Sequence, residues 1–270
     1  DPSRDILFLE NELNRWFYNI MVKAWKGFVK KIEQEKGNFA EAVSRQFSGL
    51  KVSEDNVKKV LSTLRLPEKP ANWSEDQLFW FASELRVESK PTIIAANKID
   101  LEKSYGNYQF LKMKFPGLTI IPCSADSELA LREAAKSGLI DYLPGERDLE
   151  IKGKLSDQQK EALDEIKENV LDKLKQGTGV QEILNHAIFN LLKYIAIFPV
   201  DNANKLTDSK GRILPDCFLL PSGSTALDFA YYLHTDLGER FIKAIDARTK
   251  KIVGKNHALQ NRDVLEIVTK

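Results

Sequence analysis

The sequence predicts a multidomain chain of mixed class: a helical block, then an α/β segment, then a small α+β end. Three observations carry this. Apolar residues recur at three- and four-residue steps through residues 1 to about 90, the period of amphipathic helices. Two short apolar runs, Thr92-Ile93-Ile94-Ala95-Ala96 and Leu118-Thr119-Ile120-Ile121-Pro122-Cys123, lie a helix length apart, which is the spacing of a strand–helix–strand unit. From about residue 197 onward, short β-branched and aromatic runs surround a single helical pattern. The expected domains are 1–90, 91–196 and 197–270.

Composition narrows the function classes. A 270-residue chain with 43% hydrophobic and 29% charged residues has enough apolar material for two or three packed domains. A net charge of +1 argues against a wholesale polyanion binder and leaves room for a local basic patch. Two cysteines, Cys123 and Cys217, are too few and too far apart for a disulfide framework. No apolar run reaches transmembrane length and no signal-peptide pattern opens the chain, so a cytoplasmic protein with no membrane role is expected. The three histidines, His186, His234 and His257, have no ligand spacing among themselves or with the cysteines, and no metal site is expected.

Taken in order, Asp1-Pro2 is a helix start, with Ile6, Leu9, Leu13, Trp16, Phe17, Ile20, Ala24 and Phe28 on one face. Asn38 and Ser53 are set to cap the next two helices, and Ser74-x-x-Gln77 is a capping box for a fourth. Glu102 to Phe115 reads as the helix joining the two strands, and Asp126 to Lys136 as the helix after the second. Right-handed connectivity makes the strands parallel. Their composition predicts burial on both faces. Ser156-x-x-Gln159 caps a further helix; Gly177-Thr178-Gly179 breaks the chain; Val180 to Ala196 reads as an apolar helix with His186 as a satisfied structural residue. The remainder offers strand candidates at 198–200, 213–214, 218–220, 241–245, 251–253 and 264–268, and one helix capped by Ser224 or Thr225.

The first strand ends in Asn97-Lys98-Ile99-Asp100, and ligands of open α/β sheets bind at the carboxyl ends of strands. Asn97 offers an amide donor and acceptor to a purine edge. The apolar stem of Lys98 can lie along a flat ring. Asp100 is an acceptor-only carboxylate suited to two parallel N–H bonds. Guanine supplies that pair at N1 and N2; adenine does not. The second strand ends in Ser124-Ala125 on the same edge. The Ala125 N–H lies at a helix start, where donors are available to a base carbonyl. Guanine contact is therefore expected from Asn97, Lys98, Asp100, Ser124 and Ala125.

These two stretches resemble the guanine-recognition motifs of translation-factor-class GTPases. Leu206-Thr-Asp-Ser-Lys-Gly-Arg-Ile-Leu-Pro215, Gly223-Ser-Thr-Ala-Leu-Asp-Phe-Ala230 and His234-Thr-Asp-Leu-Gly238 are similar to TGS domains, which have a β-grasp fold. Together they resemble the C-terminal two-thirds of an archaeal member of the Obg-related, YchF-like GTPases. The resemblance implies a helical insertion, part of a P-loop-GTPase-type parallel sheet and a TGS domain. It also implies GTP as ligand, hydrolysis in the intact protein, and association with ribosomes or RNA in translation. Relatives lacking the N-K-x-D pattern prefer ATP; its presence here favours GTP. No G-x-x-x-x-G-K-[ST] occurs in the sequence, and Asp208-Ser-Lys-Gly211 reads as a hairpin turn. The chain opens at Asp1, so it reads as part of a longer protein. The catalytic residues and the Mg²⁺ ligands are expected upstream of it, and the chain alone is expected to be inactive.

Lys243, Arg248, Lys250, Lys251 and Lys255 cluster in the tail and are candidates for an RNA backbone. His234 is expected to pack or hydrogen-bond at a helix end. The competing reading is a non-catalytic RNA- or ribosome-binding adaptor in which the sheet is scaffold.

Overall fold

The Asp1 carboxylate accepts hydrogen bonds from the Ser3 N–H (3.0 Å) and hydroxyl (2.7 Å), which starts helix α1 (Ser3–Glu35). At 33 residues α1 is about 50 Å long. The computed structural model describes all 270 residues and divides into two units, Asp1–Val180 and Gln181–Lys270.

In the first unit, α1 is joined by α2 (Phe39–Gln46), α3 (Glu54–Thr63) and α4 (Glu75–Ser89). The expected caps are formed: Asn38 accepts from Glu41, and Ser53 with Asn56 and Ser74 with Gln77 close capping boxes. Phe17, Met21, Trp25 and Val29 of α1 pack with Val43, Val57, Phe81 and Leu85 in one core. Trp25 stacks on Trp73 at 5.5 Å, so these two tryptophans are packing residues, whereas Trp16 and Trp80 are exposed. Arg86 of α4 is buried and meets Asn14 (2.9 Å) and Glu10 of α1, which fixes how the two helices register.

Strand β1 (Ile93–Ala96) runs parallel to β2 (Thr119–Pro122), Ala96 opposite Pro122, with α5 (Ser104–Lys114) between them in sequence. β1 is less buried than its composition predicts: Ile93 and Ile94 are half-buried and Ala95 is exposed, because β2 is its one neighbour in a two-stranded sheet. Helix α6 (Ala125–Lys136) follows β2 directly. A hairpin of β3 (Ile140–Tyr142) and β4 (Leu149–Ile151) comes next; its three-residue strands are too short for a periodic signal. Helix α7 (Asp157–Ile166), with the expected Ser156–Gln159 box, then runs into a π-helical turn over Lys167–Leu171.

The second unit corrects the sequence reading at its start. Helix α8 (Val180–Asn185) passes into a π-helical turn, His186–Leu191, and ends there. Lys193 takes φ +55° and turns the chain, and β5 (Tyr194–Val200) begins three residues before Ile197, inside the run expected to be helical. Tyr194-Ile-Ala-Ile-Phe is apolar in either conformation, and partners on both edges decide for strand. His186 is not satisfied as expected; its Nδ1 is buried without a partner. β6 (Phe218–Pro221), α9 (Ala226–Leu233), α10 (Thr235–Glu239), β7 (Phe241–Asp246), β8 (Ile252–Val253) and β9 (Asp263–Thr269) complete the unit. The sheet order is β6-β5-β9-β7-β8, with β5 and β9 parallel. Ile197, Leu220, Ala244 and Leu265 pack with Phe229 of α9. Ile213-Leu214 is no strand; Ile213 makes one isolated bridge to Thr207 and is exposed. The intervening Asp208–Gly211 segment is the expected turn, with Gly211 N–H on Asp208 O (3.0 Å) and φ +78° at Gly211.

Candidate functional site

The parallel pairing of β1 and β2 places their last residues side by side, and the two following loops enclose one cavity. It has a volume of about 280 Å³ and is lined by Asn97, Lys98, Asp100, Leu101, Ala125 and Asp126. Four of the five residues expected to contact a base thus line one space. Ser124 does not: it is fully buried behind the cavity. Its hydroxyl donates to Ser127 Oγ (2.8 Å) and accepts from the Ser127 N–H (3.2 Å), so it serves as the N-cap of α6.

Asn97 bridges the two loops. Its Oδ1 accepts the Ala125 N–H at 3.0 Å, and Cys123 Sγ lies 3.8 Å away. The Ala125 donor is therefore engaged in this structure, where sequence reasoning expected it free. In the first turn of α6, Ser127 and Glu128 also donate, to Ser124 Oγ and Ser124 O. Asp126, in the same first turn, also lines the cavity. Lys98 adopts φ +66°, a left-handed conformation that costs a side-chain-bearing residue of order 1 kcal/mol and is held at functional sites by the surrounding structure. The backbone is fixed there: Ile99 N–H donates to Cys123 O (3.1 Å) and Cys123 N–H to Ala96 O (3.0 Å).

Asp100 is the least satisfied group of the site. Its Oδ1 is buried and has no hydrogen-bond partner. A buried carboxylate oxygen is normally paired, because leaving it so costs the desolvation of a charged acceptor. Asp100 is also one of the residues lining the cavity, and no protein donor reaches this oxygen.

Behind the cavity lies a polar cluster that sequence reasoning missed. Glu128 of α6 is buried; its Oε2 accepts Thr178 Oγ1 (2.6 Å) and Tyr142 OH (2.8 Å), and its Oε1 accepts Arg132 Nε (2.6 Å). Burial would push the Glu128 carboxyl up, but hydrogen bonds from Thr178, Arg132 and Tyr142 outweigh it and hold the group below the usual carboxylate range. Burial, together with that negative neighbour, pushes the Tyr142 hydroxyl up to about 12, and burial pushes the Cys123 thiol up to about 11. Gly177-Thr178-Gly179 was legible only as a chain break; two glycines around one Thr were the available signal.

The five basic residues of the tail do not form one free patch. Lys250 Nζ donates to Ala203 O (2.7 Å), and Arg248 Nη2 donates to Arg262 O (2.8 Å). Lys251 and Lys255 are exposed and Lys243 is half-buried. The Arg212–Asp208 ion pair of this unit uses none of the five. His234 caps α10, its Nδ1 accepting the Asp236 N–H at 3.1 Å.

Comparison with known proteins places these features. Residues 95–202 match the family described as Obg-like GTPase YGR210-like, G4 motif-containing domain, and residues 199–269 match the TGS domain. The chain is 42% identical over 271 residues to an uncharacterized GTP-binding protein of Methanocaldococcus jannaschii, covering 100% of this chain and 67% of that protein. It is similar to the crystal structure of a GTP binding protein from Pyrococcus horikoshii, with TM-score 0.72 and 41% identity over 100% of this chain and 72% of that one. The Schizosaccharomyces pombe YchF GTPase shares the fold at TM-score 0.54 and 18% identity, over 99% of this chain and 66% of the other. The chain spans about two thirds of the length of the relatives it matches.

Proposed function

Because the chain belongs to the GTP-binding proteins of the Obg-related, YchF-like type, we propose that the β1 and β2 ends form the base-recognition part of a GTP site. The observation that carries this is the unpaired, buried Asp100 Oδ1. A carboxylate at the wall of a cavity of base-sized dimensions calls for two N–H donors, which guanine presents at N1 and N2. Asn97, Ala125 and Asp126 line the same space and serve the N7 and O6 side of the ring, the Ala125 N–H exchanging Asn97 Oδ1 for the base carbonyl. The Lys98 stem covers its face.

Hydrolysis belongs to the longer protein. The sequence carries no phosphate-cradling G-x-x-x-x-G-K-[ST], so the phosphates, Mg²⁺ and the attacking water are held by residues outside this chain. This chain alone is expected to release no phosphate from GTP. The second unit extends the reading: Lys243, Lys251 and Lys255, free of carboxylate partners, support contact with RNA of the translation apparatus.

Competition binding on the full-length protein tests the base reading. Sites built to pair with a group reject an analogue lacking it by about 10⁴–10⁵, so GTP should displace ATP. Asp100→Asn exchanges an acceptor oxygen for an NH₂ donor, which opposes guanine N2 but suits the extra carbonyl of xanthine. GTP affinity should fall and XTP affinity rise. Equal weakening of both would mean that Asp100 holds the loop and does not read the base. A full-length protein that binds neither nucleotide would favour the adaptor reading.

A further inference from the structure

The loop between β2 and α6 is held from two sides by adjacent peptide groups. In front, the Ala125 N–H reaches Asn97 Oδ1 at 3.0 Å. Behind, the Ser124 N–H reaches Thr178 O at 3.0 Å. These N–H groups belong to consecutive planar peptide units, so the two bonds together orient both units. The second unit carries the Ala125 N–H, the donor expected at a base carbonyl.

The rear attachment is itself anchored. Thr178 is fully buried, and its hydroxyl donates to Glu128 Oε2 at 2.6 Å. Glu128 is tied in turn to Tyr142 on β3 and to Arg132 one turn along α6. The flanking glycines press this segment flat against the strand end. Gly179 takes φ +81°, and a Cβ there would lie 2.0 Å from Pro122 O and 3.0 Å from Cys123 Cα. Gly177 takes φ +53°, and a Cβ there would lie 2.7 Å from Glu146 O. None of Thr178, Glu128 and Tyr142 lines the cavity.

We infer that Glu128 and Thr178 are positioning residues for base recognition, holding Cys123–Ala125 so that the Ala125 N–H, bonded to Asn97 Oδ1 in this structure, is placed to exchange that acceptor for O6 of a bound guanine. This rests on the base-recognition reading above. Donor placement must be accurate to a fraction of an ångström for such bonds to discriminate; the β1 side holds Cys123 through two backbone bonds, but beyond it the Ala125 N–H is held only by the exposed side chain of Asn97. The cluster behind it supplies the second constraint.

The effect is separable from a general loss of structure, because the two edges of guanine are read by different elements. Asp100 reads N1 and N2; the braced loop reads O6. The experiment is calorimetric titration of the full-length protein and its variants with GDP, ADP, 6-thio-GDP and IDP. The sulfur of 6-thio-GDP is a weaker acceptor than O6, and IDP lacks N2. Thr178→Val should weaken GDP binding about 5-fold, the scale of one lost hydrogen bond. Its preference for GDP over 6-thio-GDP should shrink by the same factor, while the preference for GDP over IDP stays as in the wild type. Thr178→Ser should restore both. If Thr178→Val does not fold, Glu128→Gln carries the test, with a smaller shift of the same ratio expected. Equal weakening toward all the guanine analogues, or no weakening, overturns the inference while leaving the guanine site intact. A wild-type protein with no preference for GDP over ADP overturns the base-recognition reading itself.

Discussion

If Asp100 reads a base, it carries a conflict between function and stability. Its Oδ1 is buried and unpaired, a condition that costs about 1–3 kcal/mol, more for a charged group. Removing the carboxylate should therefore relieve the fold while disabling the site. The thermal midpoint of Asp100→Ala is expected to equal or exceed that of the wild type in the absence of nucleotide, with guanine-nucleotide binding lost. A lower midpoint would mean that Asp100 makes a structural bond in solution. That Asn97, Lys98 and Asp100 gather at one strand end was legible in the sequence because a short apolar strand preceded them. Ser124 was half-legible: its place in the loop was clear, but a Ser before a helix is equally a cap, and the cap is what its hydroxyl does. Thr178 and Glu128 were illegible, since the two lie fifty residues apart and their bond exists only after β2, α6 and β3 are packed.

Elements with clear local signals were read correctly, and the start of β5, decided by distant partners, was not. The capping boxes at Ser53, Ser74 and Ser156 are sequence-local and form as expected. The β5 strand is decided by β6 on one edge and β9 on the other, neither visible from its own seven residues. Glu128 joins three elements through one carboxylate: its own helix α6, strand β3 through Tyr142, and the 177–179 segment through Thr178. Burial works against its charge, but the three hydrogen bonds prevail and the carboxyl lies below its usual range in the folded chain. A group with a depressed folded value stabilises the fold at pH above its unfolded value, and that contribution is lost as pH falls through the folded value. The wild-type thermal midpoint should thus decline as pH drops through and below the ordinary carboxylate range. Glu128→Gln should start lower at neutral pH and show a shallower decline. Parallel pH profiles for the two proteins would show that Glu128 is not charged in the folded chain.

At the scale of the molecule, the change of character along the sequence reflects two units that each hold their own core, one built on α1, α4 and the β1–β2 sheet, the other on a five-stranded sheet and α9. A net charge of +1 over 270 residues says nothing about where cations are free. The structure separates them by what each ammonium or guanidinium already holds. Lys250 and Arg248 are spent on backbone carbonyls of their own unit, while Lys243, Lys251 and Lys255 have no such partner. If the second unit contacts an RNA backbone, these three carry the phosphate contacts, and each lost contact lowers the slope of log K against log salt by roughly 0.7 for a single strand. Replacing the three with Gln should flatten that slope by about 2 and weaken binding to single-stranded RNA of different sequences alike. Lys250→Gln should instead lower the thermal midpoint, by freeing Ala203 O, and leave the slope as it was. A salt titration in which the triple variant keeps the wild-type slope would show that these cations are only solvated. A slope lost with Lys250→Gln would show that its bond to Ala203 gives way to phosphate in the complex.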